Sequence, residues 1–145
     1  MASNLYIVWN ESNCLGIPII DEQHRGIVSI INSYYSFVHE GRGEKIIVPT
    51  LMGLLHFTSV HFLVEEELIA AAGYPHMEQH VTLHRALMKR TKAIAQEAST
   101  NIDTDMKALA FLKEWWLTHI NKEDRQYAPF VLDQAGRNGI AGRRA

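Results

Sequence analysis

Cysteine is nearly absent from this chain: Cys14 is the only one in 145 residues. No intramolecular disulfide can form, and a thiolate zinc site or an iron–sulfur cluster has no ligands. Proline is scarce, and no stretch alternates apolar and polar residues as a half-buried strand would. A large excess of one charge is also missing. The formal net charge of −2 argues against nonspecific binding to nucleic acid or to an anionic membrane. Met1 to Trp9 lacks the basic stretch and apolar run of a secretory signal. No apolar segment is expected to reach the roughly 20 residues that span a bilayer. A soluble, cytoplasmic monomer is the expectation.

What is present is apolar residues in helical step, together with an excess of histidine. Hydrophobic residues make up 47% of a chain short enough for one domain, which is ample for a core. Residues 1–20 read as an irregular arm, with Gly16 and Pro18 opposing regular structure. Asp21 suits the cap of a first helix to about Glu40, in which Ile27, Ile30, Ile31, Tyr34, Tyr35 and Val38 recur at helical steps. A second helix is expected from about Glu44 to Ala71, and a third from Pro75, a good first helical residue, to about Ser99. After a turn at Ser99-Thr100-Asn101, Asp103 or Thr104 suits the cap of a fourth helix through His119. A short helical piece from Gln126 to Ala135, ended by Gly136, and a flexible basic tail over 136–145 complete the chain. The expected architecture is all-α: one up-down-up-down four-helix bundle over about 21–135, with an N-terminal arm and a short C-terminal helical segment.

Eight histidines are many for this length. His61-x-x-x-Glu65 and His80-x-x-x-His84 each stack two metal-capable side chains one turn apart. One such histidine pair means little, since chance supplies roughly 0.4 in this composition. His76 is in step with His80 and His84, so spacing alone leaves open which two of the three act. The whole set carries more weight. His24 upstream, and His119 with Asp124 downstream, fall on two further helices, so each of four helices offers a donor, as metal sites inside bundles require.

Five imidazoles and two carboxylates suit a pair of iron, zinc or manganese ions. They neutralise half the charge of two divalent ions, and a bridging hydroxide leaves roughly +1, tolerable at a mostly buried site. Glu65 and Asp124 have two oxygens each and are able to bridge both ions. The last pair is awkward. His119 and Asp124 are five apart, about 500° around an ideal helix, so they diverge by roughly 140°. Glu123 is the simpler partner unless a π-type turn intervenes, and spacing prefers it weakly.

Four segments resemble the hemerythrin family, specifically its single-domain bacterial type, over about residues 9–130. They are Ile20-Asp21-Glu22-Gln23-His24; His61-Phe62-Leu63-Val64-Glu65-Glu66; Tyr74-Pro75 with His80 and His84; and Trp115 through His119-Ile120 to Asp124 and Tyr127. The resemblance implies a di-iron centre: His80, His84 and His119 on one iron, His24 and His61 on the other. Glu65 and Asp124, rather than Glu123, would bridge them with an oxo or hydroxo group. The iron with two imidazoles would keep a position open, where O₂ binds reversibly as a hydroperoxide.

The expected function is O₂ carriage, storage or delivery, without catalysis. O₂ is the expected partner, and no nucleic acid, membrane or obligate protein partner is expected. An O₂ or redox sensor read by a separate partner is the alternative, as is a peroxide- or NO-handling enzyme, which the imidazole-rich ligand set disfavours. The resemblance breaks in one place. Where the family commonly has a leucine lining the O₂ pocket, three residues before His119, this chain has Trp116. Trp116 either narrows that pocket or turns outward and packs. Phe62 is a second candidate wall. Tyr127 and Trp9 are expected in the core or pocket wall, and Glu66 and Glu67 on a solvated acidic face from which Glu66 is placed to orient a neighbour. His39, His56 and His76 match no ligand position.

Overall fold

A computed structural model describes the backbone of residues 5–41, 43–98 and 104–144, and the side chains over 5–41, 46–97 and 104–136. Its helices are α1 (Pro18–His39), α2 (Gly43–Ala71), α3 (Met77–Ala98), α4 (Thr104–Trp115) and α5 (Asp124–Arg144). A π-helical stretch, Trp116–Glu123, joins the last two without a break, so α4, π stretch and α5 act as one long fourth helix. The neighbours are α1 with α2, α2 with α3, α3 with α4, and α4 with α1, which closes a four-helix bundle. The described residues contain no strand.

Pro18 starts α1 three residues before the position read from Asp21, because its fixed φ and missing N–H cost nothing in a first turn. Asp21 does other work. Its two carboxylate oxygens accept the Leu15 and Gly16 amides at 2.7 and 3.0 Å, clamping the arm onto the helix. Gly16 permits that turn with φ +86°. Further along, the Ile7 backbone exchanges two bonds with the Asn32 side chain, at 2.8 and 2.9 Å, and Asn13 Nδ2 donates to Asn121 Oδ1 at 3.0 Å. The arm is thus a fixed strap across α1 and the fourth helix.

Two more boundaries differ from expectation, and one lies beyond test. Pro75 lies in the turn before α3, which begins at Met77. The turn at Ser99-Thr100-Asn101 and the cap position Asp103 lie outside the described residues. The short C-terminal helix is instead the continuation of the fourth, and its backbone passes through Gly136 to Arg144. One glycine in a running helix costs about 1 kcal/mol relative to alanine, too little to stop it.

α2 also corrects the reading of apolar length. Its stretch Ile46–Ala71 is long and apolar enough to cross a membrane by length and composition. In the bundle it lies between α1 and α3 and carries buried His61 and Glu65.

Two apolar clusters fill the interior, and the change from one to the other occurs at the same level on three helices. Ile27, Ile31, Tyr34, Leu51, Leu54, Phe62, Leu109, Leu112, Trp116 and Ile120 belong to the larger. Ile20, Ile69, Tyr127 and Val131 belong to the smaller. His24 falls between Ile20 and Ile27, Glu65 between Phe62 and Ile69, and Asp124 between Ile120 and Tyr127. The polar donors therefore form a layer between two dry ones.

At the far end of the larger cluster, the buried Tyr34 hydroxyl donates to buried Asp105 at 2.7 Å. Tyr34→Phe keeps the ring and leaves that carboxylate short of a donor. Urea denaturation should show a loss of about 1–3 kcal/mol; an unchanged midpoint would mean Asp105 is satisfied without Tyr34.

Candidate metal centre

α1 supplies His24, α2 His61 and Glu65, α3 His80 and His84, and the fourth helix His119 and Asp124. Every one is buried, from 0% exposed for His24, Glu65 and Asp124 to 5% for His80. Their donor atoms form two overlapping groups, each within 4.8 Å: Glu65, His80, His84, His119 and Asp124 in one, and His24, His61, Glu65 and Asp124 in the other. Both carboxylates belong to both groups, and their oxygens divide accordingly. Glu65 Oε1 lies 2.7 Å from His80 Nε2 and 2.8 Å from His84 Nε2, whereas Oε2 faces His61 Nε2 at 3.1 Å. Asp124 Oδ1 stands 3.1 Å from Nε2 of both His119 and His80, and Oδ2 lies 3.0 Å from His24 Nε2.

His80 Nε2 and Glu65 Oε1 form a hydrogen bond, but short distances do not make the other contacts hydrogen bonds. The Nε2 atoms of His24, His61, His84 and His119, and both oxygens of Asp124, are buried without a hydrogen-bond partner. Buried polar atoms are normally paired, so a cluster of six orphans needs an occupant. The outer nitrogens say which kind. His61 Nδ1 donates to Gln23 Oε1 at 2.7 Å, and His84 Nδ1 donates to Glu66 Oε2 at 2.7 Å. A neutral imidazole protonated on Nδ1 presents a lone pair at Nε2. Lone pairs facing carboxylate oxygens at 2.8 and 3.1 Å repel unless a cation lies between them. The donor set therefore fits metal ions.

Without metal, protons fill part of that role. Burial pulls the His24 and His80 pKa values down, but hydrogen bonding and charge from Asp124 and Glu65 outweigh it and push both up to about 9. Burial wins at His61, whose pKa is lowered despite Glu65. Burial would raise Glu65, but His24, His61, His80 and His84 hold it well below the usual carboxylate range. Asp124 is lowered too, with burial and Glu65 opposed by His119 and His24.

The π stretch brings His119 and Asp124 together. The Asp124 amide donates to the His119 carbonyl, five residues back, so one turn absorbs one more residue than an α-helix allows. Asp124 is fully buried, while Glu123, which simple spacing prefers, is partly exposed and stays out of both donor groups. His76 likewise stays out, which leaves His80 and His84 as the pair that α3 contributes. His39 is exposed, with its ring 4.1 Å from that of Tyr35, and His56 is exposed.

Several supporting contacts were not legible in the spacing. Gln23, beside His24, fixes His61. Glu66, read in the sequence as placed to orient a neighbour, holds His84, a partner the spacing did not name, while Glu67 stays exposed. Tyr127, expected only as wall, donates its hydroxyl to Glu65 Oε2 at 2.9 Å. Its place three residues after Asp124 was the available signal. Phe62 stacks on His84 with centroids 3.7 Å apart and planes 5° from parallel. Trp116 does not turn outward. It is 1% exposed, sets its ring edge-on to His24 at 6.0 Å, and is covered by Trp9 at 5.5 Å.

A four-helix bundle with a buried layer of imidazoles and carboxylates is a cation-binding architecture. The model of the Hemerythrin HHE cation binding domain matches residues 15–131, and the chain belongs to the hemerythrin family. It is 29% identical over 140 residues to a bacteriohemerythrin of Stenotrophomonas maltophilia (strain R551-3), covering 94% of this chain and 90% of that one. It is also 29% identical over 128 residues to a bacteriohemerythrin of Pseudomonas aeruginosa (strain LESB58), covering 87% and 82%. The crystal structure of a leucine-to-alanine variant of hemerythrin shares the fold, with a TM-score of 0.76 and 22% identity over 88% of this chain and 98% of that one.

Asp124→Asn and Glu123→Gln separate the two carboxylates even without metal. Losing the buried charge beside protonated His24 should cost the metal-free chain about 3–5 kcal/mol, whereas Glu123→Gln should stay within about 0.5 kcal/mol. Equal urea midpoints for the two variants would contradict the inward position of Asp124.

Proposed function

We propose that the cluster holds two iron ions and that the protein binds O₂ reversibly, for carriage, storage or delivery inside the cell. The observation that carries this reading is the division of both carboxylates, one oxygen each, between a three-histidine and a two-histidine group. His80, His84 and His119 would hold one ion, His24 and His61 the other, and Glu65 and Asp124 both. The half with fewer protein ligands is the one left for a small molecule. Bound ferrous iron supplies the redox chemistry by which O₂ is taken up.

The chain's own residues make reversal possible by keeping protons and water away. Trp116 closes the side of His24, and Trp9 covers Trp116 in turn. Phe62 lies flat on His84 and walls the opposite histidine group. The Tyr127 hydroxyl is committed to Glu65, and burial, then Asp124 and Glu65, push its pKa up, so it is a poor proton source. Gln23 and Glu66 fix the planes of His61 and His84, as outer partners do at metal sites. The placement of α2 between α1 and α3 supports a soluble protein whose apolar helix serves the core.

The test is the visible spectrum of chain loaded anaerobically with Fe(II), read before air, after air and after degassing, beside the iron content. Two irons per chain and an absorption band that rises in air and fades on degassing are the expected results. A one-way change to a ferric spectrum would favour sensing or oxidase chemistry, and absence of retained iron would end the reading. Trp116→Leu should change the O₂ dissociation or autoxidation rate severalfold by stopped flow. Unchanged rates would remove Trp116 from the ligand's path.

A further inference from the structure

If the cluster is a metal centre, ions must reach a layer whose donors are at most 5% exposed. Among the described residues, surface grooves reach proposed ligands, and three of them can be compared. One, about 190 Å³, lies between α3 and the fourth helix and reaches His119, with Arg90, Glu114 and Glu123 in its wall. A second, about 390 Å³, lies between α2 and α3 and reaches His84, with Arg85 and Glu66 in its wall. The third, about 360 Å³, opens where the turn before α3 meets the end of the π stretch and reaches His80.

The third differs in its lining. Its wall holds His76, Gln79, Glu123 and Gln126, with Tyr74 and Leu83, and contains no lysine or arginine. The nearby Arg125 guanidinium is turned away, donating to the Ser12 carbonyl at 2.7 Å and the Asn121 carbonyl at 3.2 Å. The floor of this groove is His80, at 5% the most exposed of the five clustered histidines, against 0–2% for the rest. Glu123 acts on this space electrostatically. Together with burial, which contributes more, its charge and that of Asp124 raise the Tyr74 pKa. A cation passing here meets one carboxylate, one imidazole and two amide oxygens, and then the cluster. In the other two grooves the carboxylates share the wall with a fixed positive charge, Arg90 with Glu114 and Glu123 in one and Arg85 with Glu66 in the other, and neither wall offers an imidazole outside the cluster.

We propose that this groove is the uptake route for the divalent metal ion, with Glu123 and His76 as transient ligands on the way to His80. The proposal rests on the metal-centre reading and gives a role to the two near-miss residues of the sequence, neither of which joins the cluster.

A group that acts on the path but not in the filled site changes uptake and release by the same factor, leaving affinity unaltered. The test is anaerobic stopped-flow loading of full-length, metal-free protein with Fe(II), followed by tryptophan fluorescence, with release measured into a chelator. His76→Ala alone should slow uptake and release alike, and with Glu123→Gln by about threefold or more, flattening the salt dependence of uptake and leaving final iron content unchanged; slowing by Glu123→Gln but not by His76→Ala would assign the route to the first groove, whose wall Glu123 shares. Arg85→Gln and Arg90→Gln should not slow either process. Unaltered rates in the double variant, or a lower final content, would overturn the route while the metal centre stands. Wild-type protein that takes up no iron would remove the metal centre and the route with it.

Discussion

Two carboxylates without solvent exposure stand among five imidazole nitrogens, and the rest of the bundle is organised around that concentration of charge. Ionised carboxylates cannot be buried alone, because the desolvation penalty of each is several kcal/mol or more. They are held by positive charge that must come from protons or from metal. Every helix contributes to this layer, so it fixes the relative height of all four. A one-residue slip of any helix would take a donor out of the layer and put an apolar side chain in.

Aromatic rings give the layer its boundaries. Phe62 covers the three-histidine side, Trp116 with Trp9 covers the two-histidine side, and Tyr127 closes it toward the smaller apolar cluster. The N-terminal strap belongs to this enclosure, since Trp9 reaches Trp116 only because Asp21, Asn32 and Asn121 hold the arm down. Segments that look irregular in sequence thus contribute to the dryness of a site at the centre.

The four helices were legible because their apolar residues recur at helical steps, and α1, α2 and α3 present their histidines at the boundary where those steps carry them. What was not legible needed contact between elements. No local rule links Gln23 on α1 to His61 on α2, or Glu66 on α2 to His84 on α3; only the bundle's geometry does. Asp21 reads as a cap because capping is local, yet its oxygens serve the preceding arm. Gly136 reads as a stop because glycine often follows a helix, yet one unfavourable residue does not outweigh a helix already running. The Asp124 register failed to emerge from spacing for a different reason: angular arithmetic assumes that the helix is an α-helix throughout.

That assumption fails over Trp116–Glu123, and the failure bears on how such a site can vary in length. A π turn takes in one residue beyond the α-helical count, and the helix runs on from Asp124 without a break. The pair His119/Asp124 is then the geometric counterpart of His61/Glu65, with a surplus residue stored in the backbone between its members. The donor layer depends on where a side chain points, and it is blind to how many residues were used to get there. A helix core is usually regarded as the part of a protein least able to absorb an insertion. Here the surplus residue sits at the depth of the buried donors themselves, between His119 and Asp124.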